Sequence, residues 1–233
     1  MKNYDVFLFD ADGTLFDFNM AETNALKIIF KNCNFKFSDD ILAKYREINI
    51  RAWESYEKGE ISKSELQVIR FERLFEYAGI KHDEKEFNDM YLYELGKGSF
   101  LIEGALEICK EIKAAGGIIY IVTNGILATQ EARIKHSLIK DYISGYFVSE
   151  HIGYQKPHKS YFDYVFSHIV PAEKEKIIII GDSLTADIAG GNNAGIDSCW
   201  FNASCKFNDT DITPVYEISS LLELRNFFVN RQL

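Results

Sequence analysis

The chain contains short apolar runs, which are typical of strands, and longer segments with an apolar residue every three or four positions, which are typical of helices. The run Ile177–Ile180 is β-branched throughout, as expected of a central strand buried on both faces. The predicted strands are Val6–Phe9, Gly117–Val122, Tyr146–Ser149, Lys176–Ile180 and Ser198–Phe201. The predicted helices of the same region are Glu103–Ala115, Thr129–Ile139, Ser160–Ile169, Thr185–Asn193 and Ser220–Asn230. This alternation predicts an α/β fold, a Rossmann-like doubly wound parallel sheet.

Residues 18–96 break the alternation, because they contain no strand candidate and only helical periodicity. The segment Ser62-Lys63-Ser64-Glu65 has the spacing of a capping box and predicts the start of a helix. Ser38 is a favourable N-cap residue for another helix. We therefore expect a discontinuous core domain of residues 1–17 and 97–233, into which residues 18–96 are inserted as an α-helical cap domain.

The composition is that of a folded, acidic protein. The chain has 233 residues, 47% of them hydrophobic, and a formal net charge of −9 at pH 7. This balance disfavours a nucleic-acid polymer as partner, since phosphate backbones select basic faces. A small phosphorylated metabolite remains compatible, because a metal ion and one lysine reverse the charge locally. The four cysteines lack metal-ligand spacing, and no apolar run approaches the ~18 residues of a membrane span. We expect no membrane partner, no signal peptide and a cytoplasmic location.

Two aspartates directly follow the first predicted strand. Asp10 and Asp12 are separated by one residue, and in extended chain such positions project to the same side. The carboxyl ends of the strands form the edge at which open α/β folds bind their ligands. Two carboxylates at this edge repel each other and need a cation or a shared proton at neutral pH. The alternative is a strand that ends in a polar turn, since Asp-Gly is a common turn dipeptide.

Polar residues also follow two later strands. Thr123 and Asn124 stand where a helix begins, and free backbone N–H groups at such a position suit a phosphate. The alternative there is an ordinary turn with an N-cap. Lys156 precedes Pro157, which restrains the backbone on both sides, and its charge suits both a phosphate and the Asp10 carboxylate. Taken alone, Lys156 is equally compatible with a solvated surface lysine.

A second pair of acids follows the strand at Ile177–Ile180. Asp182 ends this strand, and Asp187 falls in the first turn of the next helix, close enough to share the site. Carboxylates from separate strands form an oxygen-rich site for a hard cation, which suits Mg²⁺. A purely structural explanation would need independent coincidences at all of these strand ends.

Together these segments resemble the motifs of the haloacid dehalogenase (HAD) superfamily, and the resemblance spans almost the whole chain. The segments similar to its four motifs, in order, are Asp10-Ala11-Asp12-Gly13-Thr14-Leu15, Thr123-Asn124, Lys156-Pro157 and Gly181-Asp182-Ser183-Leu184-Thr185-Ala186-Asp187. The insertion after the first motif is similar to the helical C1 cap of that superfamily. The resemblance implies a HAD core with a C1 cap and a Mg²⁺-dependent phosphatase of small phosphorylated metabolites.

The resemblance also implies a role for each matched residue. Asp10 would be the nucleophile that forms an aspartyl-phosphate, and Asp12 would be the general acid and base. The phosphoryl group would be bound by Thr123, Lys156 and backbone amides near Asp12 and Asn124. The metal would be held by the Asp10 side chain, the Asp12 backbone carbonyl and the Asp182 side chain, supported by Asp187.

Within the insertion, the segments 49–62 and Arg70-Phe71 look like the YjjG/YfnB branch of pyrimidine 5′-nucleotidases. This narrower resemblance implies nucleoside 5′-monophosphates as substrates. The candidate substrate residues are Asn49, Trp53, Arg70 and Phe71. The alternative for the two aromatic rings is core packing, and for Arg70 an exposed place on a helix surface.

Four other functions stay open at this point. A sugar-phosphate phosphatase or a β-phosphoglucomutase-like phosphomutase shares both Asp10 and Asp12, so only the cap and the products separate these enzymes from a nucleotidase. A 2-haloacid dehalogenase has no acid two residues after its nucleophile, so Asp12 argues against it. A non-catalytic binding protein would be expected to have lost a motif residue, and this chain has lost none. A monomer and a homo-oligomer are equally compatible with the sequence.

Overall fold

The structure, a computed structural model, describes residues 2–228 and contains a six-stranded parallel sheet. Its strands are β1 (Val6–Phe9), β2 (Ile118–Thr123), β3 (Ile143–Val148), β4 (Ile177–Gly181), β5 (Asp197–Phe201) and β6 (Tyr216–Ile218). Their spatial order is β3-β2-β1-β4-β5-β6, so the chain winds outward from β1 first in one direction and then in the other. The predicted α/β, doubly wound parallel fold is therefore confirmed.

Helices connect the strands and flank the sheet. The α-helices that follow the helical insertion are α5 (Ala105–Ala114), α6 (Leu127–His136), α7 (Ser149–Ile152), α8 (Lys159–His168) and α9 (Ala189–Ala194). The other helical segments of this region are 3₁₀ turns at Lys140–Tyr142, Lys174–Lys176 and Leu221–Phe227, and a π-helical turn at Leu184–Ile188. A π-helical turn widens the backbone at the point where β4 enters α9.

Alternate residues of β1 belong to two different cores. Phe7 and Phe9 pack in a core that includes buried side chains of α5, whereas Val6 and Leu8 pack in a core that includes α8. All four residues are at most 1% exposed. Because side chains alternate between the faces of a strand, the uninterrupted apolar run supplies both cores and keeps β1 in the middle of the sheet.

The sequence located the helices and strands better than it located their ends. The predicted strand at Tyr146–Ser149 begins three residues earlier, at Ile143, and β6 was missed because three residues give too short a pattern to recognise. The predicted helix Thr185–Asn193 is divided between the π-helical turn and α9. Of the predicted helix Ser220–Asn230, the 3₁₀ segment covers seven residues, and positions 229–230 lie outside the described residues.

The chain forms two compact units, one that combines the residues up to Phe18 with those from Ser99 onward and one that comprises Asn19–Gly98. The helices of the second unit are α1 (Phe18–Asn32), which begins one residue before it, α2 (Asp39–Glu57), α3 (Lys63–Ala78) and α4 (Glu84–Lys97). The predicted capping box at the start of α3 is present, since the Ser62 and Glu65 side chains each bond the other residue's backbone N–H. Within the described part of the chain, we find no helix with the length and apolar character of a membrane span.

Candidate active site

The carboxyl ends of β1, β2 and β4 lie side by side. The register pairs Phe9 with Ile121 of β2 on one side and with Ile180 of β4 on the other. Asp10, the next residue, therefore lies beside the carboxyl ends of both neighbouring strands. The backbone N–H of Asp10 donates to the carbonyl of Ile180 at 2.9 Å. Asp10 is 7% exposed and Thr123 is 2% exposed. Parallel pairing thus brings polar residues that are more than one hundred positions apart in sequence to one edge of the sheet.

Lys156 reaches this edge from the segment that follows α7. Its ammonium donates hydrogen bonds to the carboxylates of Asp10 and Asp187 at 2.6 Å each, and to the carbonyl of Val122 at 2.8 Å. The residue is 1% exposed. Burial alone would lower the pKa of Lys156, but the carboxylates of Asp10 and Asp187 together raise it above its ordinary value. Lys156 is therefore a fixed positive charge beside Asp10.

Three carboxylates converge next to this lysine. One oxygen each from Asp10, Asp182 and Asp187 lies within 4.8 Å of the others. Burial raises the pKa of Asp10 well above its ordinary value, and the Asp187 and Asp182 charges add to the effect while Lys156 opposes it. The Asp182 carboxylate reaches solvent, but the protein atoms packed around it and the charge of Asp187 raise its pKa to about 7. One ammonium cannot compensate three carboxylates, so the site favours a further cation.

Two glycines allow the carboxylates to come this close. Gly13 has a φ of +82°, in the left-handed region, and a Cβ atom there would lie 2.5 Å from Oδ2 of Asp182. A Cβ atom on Gly181 would collide with the carboxylate of Asp187. Any side chain at either position would therefore displace one of the acids.

The Asn124 side chain holds the backbone of Lys156. Its amide nitrogen donates to the Lys156 carbonyl and its Oδ1 accepts from the Lys156 N–H, both at 2.9 Å. Thr123 Oγ1 accepts a hydrogen bond from the backbone N–H of Gly125 at 3.1 Å. The sequence predicted Asn124 as a phosphate-binding residue, and in the structure its side chain holds the loop that carries Lys156.

The Asp12 carboxylate has two partners that the sequence reasoning missed, and both lie on α6. Arg133 donates from Nη1 to Oδ1 of Asp12, and Gln130 donates from Nε2 to Oδ2 at 2.5 Å. Both residues are at most 1% exposed. The available signal was their spacing of three, which places them on one face of a helix that starts just after the Thr123-Asn124 segment.

The helical unit places its four candidate substrate residues differently. Asn49, Arg70 and Phe71 are at most 4% exposed, and Trp53 alone of the four is half-buried. Arg70 is thus in the interior and not on a helix surface, because it donates to Asn49 Oδ1 at 3.2 Å and to Asn88 Oδ1 at 2.7 Å.

Phe71 is fully buried among other rings. Its centroid lies 5.4 Å from that of Tyr45 in a stacked arrangement, and 5.1 Å from Phe87 and 5.4 Å from Tyr91 in edge contacts. No face of the ring is exposed, so the structure gives Phe71 a core-packing role and offers no surface for a substrate. Trp53 contacts Tyr56 edge-on at 5.7 Å and keeps exposed surface.

The fold and the polar strand ends are those of one class of hydrolases, and a comparison of the sequence with protein-family models identifies that class. Residues 4–195 match the model of the haloacid dehalogenase-like hydrolase family, and the chain belongs to that family. The predicted family membership and hydrolase class are therefore confirmed.

Three relatives with 30–41% sequence identity match almost the whole chain. YfnB of Bacillus subtilis is 41% identical over 96% of this chain and 95% of its own length, and its crystal structure bound to magnesium superposes with a TM-score of 0.92, over 97% of this chain and 98% of that one. The pyrimidine 5′-nucleotidase PynA of Streptococcus pneumoniae is 36% identical, over 95% of this chain and 93% of its own. The pyrimidine 5′-nucleotidase YjjG of Escherichia coli is 30% identical, over 95% and 96% respectively.

Proposed function

We propose that this protein is a Mg²⁺-dependent phosphomonoester hydrolase that acts through an aspartyl-phosphate at Asp10, with pyrimidine nucleoside 5′-monophosphates as substrates. The observation that carries the proposal is the buried Asp10 carboxylate, held between Lys156 and two further carboxylates at the carboxyl edge of the sheet. The names of PynA and YjjG support the choice of substrate. The expected cytoplasmic location and the small phosphorylated partner belong to the same proposal.

The donor set fits magnesium. Asp10, Asp182 and Asp187 supply carboxylate oxygens within 4.8 Å of one another, and hard divalent cations prefer such oxygen ligands. We assign the metal to the Asp10 and Asp182 side chains and the Asp12 backbone carbonyl, with Asp187 in support. When bound, Mg²⁺ supplies positive charge that stabilises the phosphoryl oxygens and keeps the carboxylates ionised.

The first half of the reaction transfers the phosphoryl group to the protein. A carboxylate oxygen of Asp10 attacks phosphorus while the bond from phosphorus to the ester oxygen breaks. The Asp12 carboxyl gives its proton to the departing oxygen, which leaves as an alcohol. Thr123, Lys156 and the backbone amides near Asp12 and Asn124 stabilise the charge on the phosphoryl oxygens.

The second half releases phosphate. Asp12, now a carboxylate, takes a proton from a water molecule as the water oxygen attacks phosphorus. The bond from phosphorus to the Asp10 oxygen breaks, so the Asp10 carboxylate and the Asp12 carboxyl are both restored. The products are an alcohol and inorganic phosphate, and Lys156 keeps Asp10 in place throughout.

A panel of phosphate esters tests the proposal. With Mg²⁺, we expect kcat/KM to be highest for UMP, dUMP and dTMP, lower for AMP and GMP, and lower still for hexose phosphates, with p-nitrophenyl phosphate as a generic ester. Phosphate release is measured for each ester. A preference for hexose phosphates would overturn the nucleotidase assignment, and interconversion of hexose phosphates without phosphate release would favour the phosphomutase.

Trp53 provides the substrate-side prediction. We expect the exposed surface of Trp53 to contact the base, so Trp53→Leu should lower kcat/KM for UMP by roughly tenfold, the value of one aromatic contact, and leave kcat/KM for p-nitrophenyl phosphate unchanged. Tyr93→Leu is the matched control, because Tyr93 is an aromatic residue of the same unit with 68% exposure. Equal losses for the two esters would assign Trp53 to packing.

A further inference from the structure

We propose that Arg133 and Gln130 are positioning residues that aim the Asp12 carboxyl at the leaving-group oxygen, an inference that rests on the proposed phosphatase function. The two α6 side chains hold different oxygens of the same carboxylate, Arg133 from Nη1 to Oδ1 and Gln130 from Nε2 to Oδ2. A carboxylate that accepts hydrogen bonds at both oxygens cannot rotate about its Cβ–Cγ bond, so the orientation of the Asp12 carboxylate is fixed.

Arg133 is itself held rigidly. It is 0% exposed, and its guanidinium carbon lies 4.7 Å from the ring centroid of Phe16. Phe16 belongs to the same loop as Asp12, since the two residues form an isolated parallel bridge. The Phe16 backbone N–H also donates to the Ala11 carbonyl at 2.8 Å. Arg133 thus contacts both the Phe16 ring and the Asp12 carboxylate, which belong to the same tight loop.

Gln130 is placed by its neighbour Gly125. A Cβ atom on Gly125 would collide with Nε2 of Gln130 and lie 2.9 Å from its Cγ, so only glycine leaves room for this side chain. Gln130 Oε1 has no hydrogen-bond partner in the described part of the chain. The bond to Asp12 is therefore what orients the amide, and the donating nitrogen must face the carboxylate.

The burial of these two side chains needs an explanation beyond stability. A fully buried arginine and glutamine cost desolvation that apolar side chains of similar volume would avoid. The Asp12 side chain is nevertheless 28% exposed, so one part of it stays open to a substrate while α6 holds the rest. This arrangement suits a group that must be both fixed and reachable.

The test measures phosphoryl transfer to the protein in a single turnover with Mg²⁺, using UMP and p-nitrophenyl phosphate. An alkyl leaving group needs a well-aimed proton donor, whereas nitrophenolate departs without one. For Arg133→Met and Gln130→Met we expect losses of roughly 10²-fold with UMP, within the range of general acid catalysis, and less than about tenfold with the aryl ester. Arg133→Lys should recover part of the loss, because it keeps the charge without the planar fork.

A double-mutant comparison separates positioning from folding. Combined with Asp12→Asn, Arg133→Met should add no further loss, because its effect passes through Asp12. If Arg133→Met does not fold, Gln130→Met in the same comparison carries the test. Equal losses for the two esters, or losses that multiply in the double variant, would overturn the positioning role. A wild-type protein that transfers phosphate from neither ester would overturn the proposed function and this inference with it.

Discussion

Asp10→Asn is expected to abolish phosphate release from every ester while the protein stays folded. Asparagine keeps the volume of Asp10 and can still accept the hydrogen bond from Lys156 that the carboxylate accepts at 2.6 Å. It removes the charge that attacks phosphorus, so we expect turnover to fall by roughly 10⁴-fold or more, as for other catalytic nucleophiles.

The measurement is steady-state phosphate release with UMP and p-nitrophenyl phosphate, together with thermal unfolding of each variant. Asp209→Asn is the matched control, because it makes the same chemical change at an exposed position in the segment between β5 and β6. Activity in Asp10→Asn within tenfold of wild type would assign the nucleophile to another residue.

Removal of magnesium is expected to have the second largest effect. The carboxylate oxygens of Asp10, Asp182 and Asp187 lie within 4.8 Å of one another, and without the cation only the Lys156 ammonium offsets their charge. The phosphoryl oxygens of the substrate also lose their main counter-charge. We expect EDTA to lower turnover by roughly 10³-fold, corresponding to several kcal/mol of transition-state stabilisation, and added Mg²⁺ to restore it. Asp182→Asn should raise the Mg²⁺ concentration needed for half activity, and Asp209→Asn should not.

The same acids predict how pH acts on the metal-free protein. The pKa of Asp182 is raised to about 7 in the folded state, so the folded protein binds this proton more tightly than the unfolded chain does. Its contribution to stability is complete below the unfolded value of about 4 and is lost as pH rises towards 7. Mg²⁺ binds the ionised form, so the rise in melting temperature caused by Mg²⁺ should grow over this interval. A constant rise would contradict the assignment of Asp182 as a ligand.

The sequence predicted which candidate residues lie together where backbone pairing alone decides their position. Asp10, Thr123 and Asp182 each follow an apolar run, and parallel strands place their carboxyl ends together whatever the side chains do. The capping box at Ser62 was equally local, because its two reciprocal bonds join residues three positions apart.

The rest depended on packing between distant parts of the chain. Arg133 and Gln130 look like ordinary polar positions of a helix until the fold places them against Asp12, about 120 residues earlier. Arg70 is buried with its two terminal nitrogens bonded to Asn49 and Asn88, and no periodicity of α3 reveals those partners. Sequence patterns report burial of apolar side chains, whereas buried polar groups are explained only by their partners.

Trapping the phosphorylated protein and locating its phosphate tests the aspartyl-phosphate at Asp10 directly. Wild-type protein is mixed with labelled UMP and Mg²⁺ and quenched in acid within a single turnover, and the labelled peptide is identified by mass spectrometry. We expect a phosphoryl group on the Asp10 carboxylate that is absent in Asp10→Asn and is retained longer in Asp12→Ala, which lacks the base that activates water. Label on another residue, or rapid turnover with no covalent label in the wild-type protein, would contradict it.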